Sequence, residues 1–209
     1  AYSSRKKVGM EYALSTNTDI YIYDLVSGQT KNVTAPNGGY DTHPRFSPDG
    51  KSLSWISMER DGYEADLKRL FVLDLKTGKK TYLTDGFEYD VDETVWAPDS
   101  KSIYFLCTKE AETHLWELGL KKRSIRQITS GQYDYTLVSL RAGKLLAGRQ
   151  SYNDPKDLYL VDPHSGKAQQ VTAENKSILG DMPNITVEKR WIKTTDGGNM
   201  LVWVVLPPN

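Results

Sequence analysis

Ionic side chains crowd one stretch of this 209-residue chain, Met58-Glu59-Arg60-Asp61-Gly62-Tyr63-Glu64-Ala65-Asp66. Carboxylates and a guanidinium fixed on one loop recognise ligands through charge-assisted hydrogen bonds, about twice as strong as neutral ones. The bland reading is a solvated charged loop. A second cluster, Asp90, Asp92 and Glu93, lacks the glycine and the ligand spacing of a calcium loop, and reads as a polar strand entrance. Nucleophilic chemistry finds no support: Gly-x-Ser-x-Gly does not occur, and His43, His114 and His164 lie far apart in an expected strand, another strand and a turn. The expectation is therefore no catalytic residue, no metal site and no cofactor. Hydrolysis by this chain alone is not expected.

Composition bounds the rest. Lys plus Arg and Asp plus Glu number 27 each, so no whole-molecule field draws the chain to nucleic acid. Apolar residues make up 38%, as in ordinary globular domains. The single Cys107 excludes an intrachain disulfide and reads as a small buried strand residue. No apolar run reaches the roughly 20 residues that span a bilayer. The start at Ala1-Tyr2-Ser3-Ser4 and the stop after an apolar strand lead us to expect that a leader and other material have been removed.

The elements that must position these residues are set by a repeat. Ile20-Tyr21-Ile22-Tyr23-Asp24-Leu25-Val26-Ser27-Gly28 returns as Leu70-Phe71-Val72-Leu73-Asp74-Leu75-Lys76-Thr77-Gly78 and as Leu158-Tyr159-Leu160-Val161-Asp162-Pro163-His164-Ser165-Gly166, with a worn copy at Thr113-His114-Leu115-Trp116-Glu117. Taking Asp24, Asp74, Glu117 and Asp162 as markers, the copies are spaced by 50, 43 and 45 residues. Such periods match one four-stranded propeller blade. Each marker is followed by Val33-Thr34, Leu83-Thr84, Ile128-Thr129 or Val171-Thr172. Phe46-Ser47-Pro48-Asp49-Gly50-Lys51 returns as Trp96-Ala97-Pro98-Asp99-Ser100-Lys101, and faintly at Leu140-Arg141-Ala142-Gly143-Lys144. Pro, Asp and Gly at these places make tight turns, so the aspartates read as turn formers.

Between turns the residues alternate with period two, which predicts strands A to D in each blade. The A strands fall near 43–48, 92–97 and 134–140, and the B strands near 51–58, 101–108 and 144–150. The C strands fall near 19–25, 69–75, 113–118 and 157–162, and the D strands near 30–34, 79–84, 124–129 and 167–172. Ile22, Val72, Leu115 and Leu160 form one expected core column; Leu53, Ile103 and Leu146 form another. Tyr133 and Tyr135, flanking Asp134, have the look of a channel-lining strand with no chemistry attached. The fold class is all-β: a partial β-propeller of four-stranded antiparallel blades in an incomplete ring. Three blades are full, and the first copy lacks its A strand. Residues 1–181 make the blades, and an open arc favours self-association. Residues 182–209 make a linker and a hairpin turning at Asp196-Gly197-Gly198.

Repeats of the type Ile-Tyr-x-x-Asp-Leu-x-x-Gly, Leu-Thr and Ser-Pro-Asp-Gly-Lys resemble WD40-like propellers of periplasmic TolB-like proteins and of the prolyl oligopeptidase (S9) family. The terminal Asp-Gly hairpin with its apolar strand and Pro207-Pro208 looks like the entry into the α/β-hydrolase domain of S9 peptidases. The stretch from Met58 to Asp66, followed by Arg69-Leu70-Phe71-Val72-Leu73-Asp74-Leu75, looks like the bacterial dipeptidyl peptidase 5 and acylaminoacyl-peptidase-like branch. That resemblance implies a substrate-gating, non-catalytic propeller of a serine exopeptidase that removes dipeptides from short peptides. It implies a C-terminal α/β-hydrolase domain in cis and a peptide substrate. Within it, Glu59 or Glu64 would pair with the substrate ammonium, while Arg60 would hold a carbonyl or carboxylate. The periplasm or the exterior is the implied compartment, with the cytoplasm left open. The competing reading is a TolB-like periplasmic propeller acting as a protein-interaction module.

Overall fold

The computed structural model describes residues 1–208, apart from the side chain of Val138. The chain divides into two compact units, residues 1–107 with 115–128, and residues 108–114 with 129–209.

The strands follow the repeat. β1 (Tyr2–Ser4), β2 (Asp19–Tyr23) and β3 (Thr30–Asn32) form a three-stranded sheet, with the short helix α1 (Met10–Leu14) between β1 and β2. β1 fills the B position of the first copy, so that copy lacks only strand A. The first full blade is β4 (Asp41–Phe46), β5 (Ser52–Ser57), β6 (Arg69–Asp74) and β7 (Lys80–Tyr82), in that spatial order. The second is β8 (Asp92–Trp96), β9 (Ser102–Lys109), β10 (Glu112–Gly119) and β11 (Ser124–Gln127). The third is β12 (Asp134–Arg141), β13 (Lys144–Gln150), β14 (Asp157–Val161) and β15 (Ala168–Gln170). A short helix, α2 (Lys176–Leu179), precedes a separate two-stranded ribbon of β16 (Thr186–Lys193) and β17 (Asn199–Leu206). Neighbouring strands pair antiparallel, as β4 with β5, β8 with β9 and β12 with β13, and the sheets are blades of a partial β-propeller.

The turn aspartates act as the repeat predicts. Asp24 Oδ1 accepts from the backbone N–H of Val26 and Ser27 and from Ser27 Oγ; Asp74 repeats this with Lys76 and Thr77, and Asp162 with His164 and Ser165. Gly28, Gly78 and Gly166 close the three turns with φ near +70° (+69°, +73° and +73°), where a β-carbon is disfavoured.

The worn copy is in a different register from the one its sequence implies. Val33 N–H donates to Ile20 O, Leu83 to Leu70, Ile128 to Leu115 and Val171 to Leu158, at 2.7–2.9 Å. Leu115 is therefore the counterpart of Ile20 and Leu70, and Gly119, not Glu117, stands where the other copies have aspartate. Loss of that aspartate removed the landmark. The correction also moves Leu115 out of the column expected with Ile22, Val72 and Leu160. Ile20, Leu70 and Leu115 are fully buried, Ile22 and Val72 only partly so, and Leu160 is 39% exposed. Leu53 and Ile103 are fully buried as expected, but Leu146 is only partly so: the register puts the fully buried Leu145 in their column.

In the first unit the core gathers Ile56, Leu70, Trp96, Ile103, Phe105 and Trp116. Trp96 locks two blades together, its indole N–H donating to Ser54 Oγ (2.9 Å) and Arg45 O (3.1 Å). A bulge in β4 and another in β8 put His43 and Glu93 at matching places with positive φ. Both side chains are exposed, and His43 Nδ1 lies 3.0 Å from Thr42 Oγ1.

Candidate functional site

In a blade ordered A-B-C-D, the A–B and C–D turns share one end, and the B–C connection lies at the other. The turn end is spoken for by its aspartates. The B–C connections differ from blade to blade: residues 58–68 in the first, 110–111 in the second and 151–156 in the third.

The loop 58–68 is braced from within. Asp66 accepts from Arg60 N–H (2.6 Å) and Arg60 Nε (2.8 Å), and pairs with Arg60 Nη2, while the guanidinium lies 3.7 Å from the centre of the Tyr63 ring. Those bonds hold the Asp66 carboxyl below the usual carboxylate range, with Arg60 as the chief cause. Asp61 accepts from Thr16 N–H (2.7 Å) and from Ser15 and Thr16 hydroxyls, which lowers its pKa and ties the loop to the segment before β2. Glu59 pairs with Arg69 at 3.2 Å yet keeps 71% of its side chain exposed. Glu64 accepts from Tyr40 Oη at 3.2 Å and is exposed. Of the three residues singled out by sequence, two carboxylates thus face solvent, and Arg60 is engaged by its own loop.

Beneath that loop lies a buried polar network. Asp41 accepts from the Trp55 indole N–H (3.1 Å) and Asn37 Nδ2 (3.0 Å), and Asn37 Nδ2 also reaches Met58 O (2.9 Å). Burial raises the Asp41 pKa, opposed by hydrogen bonds, that of Ser57 first. Asp90 and Asp92 serve Lys68, the first on its backbone N–H (2.8 Å) and the second on its ammonium (2.7 Å), which is a strand-entrance role.

The third blade and the ribbon carry polar cavities at their own B–C end. One, about 230 Å³, is lined by Glu112, Tyr133, Asp134, Tyr152 and Trp203. Lys189 of β16 sits 2.7 Å from Glu110 and 3.7 Å from Glu112. His114 is buried against Thr129 Oγ1 (3.2 Å), with Nε2 3.7 Å from Glu112, and burial lowers its pKa, so it serves as a neutral structural side chain. His164 donates its backbone N–H within a C–D turn. Tyr135, expected to line a channel, is instead buried beside Arg149. Sequence reading passed over Arg149, whose guanidinium lies 4.1 Å from the Tyr133 ring centre and 3.8 Å from that of Tyr159. Only the strand register reveals it: Arg149 occupies the strand position held by Ser57 and Cys107 in the other blades.

Four-stranded blades, their shared turns and variable opposite ends define a propeller, and the chain belongs to the TolB beta propeller domain family, whose model matches residues 3–192. Along its whole length the chain is similar to Dipeptidyl-peptidase 5 of Porphyromonas gingivalis, with 64% identity over 209 residues, 100% of this chain and 31% of that protein. It is 57% identical over the same span to Dipeptidyl-peptidase 5 of Porphyromonas endodontalis, covering 30% of it. The chain therefore spans somewhat under a third of the length of these relatives. Among solved structures, the acylaminoacyl peptidase of Pyrococcus horikoshii shares the fold at a TM-score of 0.70 and 18% identity, over 92% of this chain and 28% of that one. Among the described residues no helix is long and apolar enough to cross a membrane.

Proposed function

We propose that this chain is the substrate-gating, non-catalytic propeller part of an S9-family serine exopeptidase, a dipeptidyl peptidase of short peptides working in the periplasm or outside the cell. The observation that carries this reading is the end-to-end similarity, at 64% identity, to one stretch of a Dipeptidyl-peptidase 5. A ring of blades admits short peptides and excludes folded proteins, so access contributes to selectivity. Residues 1–181 supply blades, and residues 182–209 lead into an α/β-hydrolase domain in cis. The exposed Trp191, Ile192, Met200, Val205 and Leu206 of the ribbon support that role, because two-sided apolar ribbons need covering.

In this reading the exposed carboxylates of Glu59 and Glu64 pair with the substrate ammonium, and Arg60 holds a carbonyl or carboxylate at the same loop. The chain alone releases no fluorophore from dipeptidyl aminomethylcoumarin substrates, whereas the parent enzyme does so until treated with diisopropyl fluorophosphate. In the parent enzyme, losing a charge-assisted contact by Glu59→Ala or Glu64→Ala lowers kcat/KM by about tenfold or more while melting is unchanged. Unchanged kcat/KM for both variants and for Arg60→Ala removes the loop from the site. A parent enzyme indifferent to the fluorophosphate removes the peptidase reading itself.

A further inference from the structure

One cross-strand position recurs in the three full blades. Counted from the pairs Phe46 with Leu53, Trp96 with Ile103, and Leu140 with Leu145, it holds Asp41 with Ser57 and Tyr135 with Arg149, and in the second blade, one step beyond the last paired residues of β8 and β9, the same count reaches Val91 and Cys107. Asp41, Ser57, Val91 and Cys107 are all buried, and so is Tyr135. Arg149 alone is half-exposed, and it lines a cavity of about 510 Å³ with Asn153, Gln170, Asn175, Lys176 and Asn184. The third blade has thus replaced a small closed side chain by a guanidinium open to a polar hollow.

The guanidinium is held but not neutralised. Tyr133 and Tyr159 lie 4.1 and 3.8 Å from it and cover its faces, and the Tyr135 hydroxyl accepts from one of its N–H groups, so a further partner reaches it through the remaining N–H groups. Among the described residues, neither Arg149 nor Lys176 forms an ion pair. The two acidic residues of the lining keep their charge but are hydrogen-bonded to neutral donors, not paired with Arg149 or Lys176. Asp157 accepts from Thr172 Oγ1 (2.6 Å) and Gln170 Nε2 (3.2 Å), and Asp154 from Ser151 Oγ (2.9 Å). A partly buried, pre-oriented guanidinium with a second cation and several amides around it matches a planar two-oxygen anion.

We propose that this hollow is a carboxylate-binding site, in which Arg149 takes the carboxylate in the plane of its guanidinium and Lys176 adds a second positive charge. The ligand is a peptide carboxylate, from a C-terminus or from an Asp or Glu side chain. The inference concerns binding and stands apart from the peptidase reading.

Titration of the ¹⁵N-labelled chain, followed at the Arg149 Nε–H resonance, tests it. Acetyl-Gly-Gly presents a terminal carboxylate, acetyl-Asp-amide a side-chain one, and acetyl-Gly-Gly-amide none. Saturable shifts with either acid, and none with the amide, are expected; the tighter acid identifies the source. Arg149→Lys keeps the charge but not the two-pronged donor; followed at the backbone amides of Asn153, Gln170 and Lys176, because its own reporter is lost, it weakens binding at least about tenfold with the rest of the amide spectrum retained. Should that variant misfold, Lys176→Met, which lies outside the tyrosine stack, is expected to weaken binding severalfold. Binding of the neutral amide as tightly as the acids overturns the proposal, as does full affinity in Arg149→Lys or in Lys176→Met. So does the absence of any shift up to about 10 mM acid, or tighter binding of inorganic phosphate, which would mark a general anion site.

Discussion

At the turn end of the blades, Asp24, Asp74 and Asp162 make the same three hydrogen bonds to their own loops, and little is left over for a ligand. At the opposite end, residues 58–68, 110–111 and 151–156 share neither length nor composition. There the same cross-strand position holds an aspartate network, an apolar pair or a tyrosine-clamped arginine. Repetition marks the local chemistry by which three of the four copies fold their turns. Departure from it marks where side chains have been freed for recognition, and a polar network such as that of Asp41 then has to support the freed segment.

The sharpest challenge to this contrast is Asp41→Ala. It strands the buried donors of Trp55 and Asn37, and is expected to cost the first unit about 2–4 kcal/mol in urea unfolding. A loss below about 0.5 kcal/mol would mean that the network does not hold the loop end together. Next comes Gly39→Ala. A β-carbon there would stand 2.4 Å from Met58 O and 2.9 Å from the Glu59 carbonyl carbon, so backbone must move, at about 1–3 kcal/mol. The expected companion is loosened hydrogen exchange confined to residues 58–68.

Smaller effects come from the turn end. Ala142 and Gly143 join β12 to β13 with φ of +50° and +72°, the backbone that Asn-Gly prefers, so Ala142→Asn should raise stability by about 0.5–1 kcal/mol. Smallest, and lost in acid, is the effect of Asp74→Asn. Backbone and hydroxyl donors hold the Asp74 carboxyl below its ordinary value, so its contribution is complete above the unfolded pKa of about 3.9 and fades as pH falls through the lower native one. Melting of the Asn variant should differ from the parent's at neutral pH and converge with it in acid. Asp41 has the opposite sign. Its raised native pKa makes its linkage contribution complete below the unfolded value and lost as pH rises through the native one.

Much of the scaffold was legible because turn chemistry is local: Pro48-Asp49-Gly50 or Asp74 through Gly78 specifies its own backbone whatever surrounds it. The worn blade was misread because Gly119 carries no side chain to mark its place, and Glu117 sits two residues away as a decoy. β1 escaped because three residues have no period to detect. The charged loop was visible as composition, but not its bracing, since which carboxylate Arg60 would choose depends on how the loop folds. Arg149 was hidden differently. A lone arginine in a strand says nothing until the register shows that its neighbours in the repeat are buried and small.

The most direct test compares melting temperature with kcat/KM for a dipeptidyl substrate in the parent enzyme, across two sets of variants. For Asp24→Asn, Asp74→Asn and Asp162→Asn, the contrast between blade ends predicts lowered melting temperature and unchanged kcat/KM. For Glu59→Ala and Glu64→Ala, whose carboxylates face solvent, it predicts lowered kcat/KM and unchanged melting temperature. Turn variants that depress kcat/KM without loss of stability, together with loop variants that are kinetically silent, would contradict it.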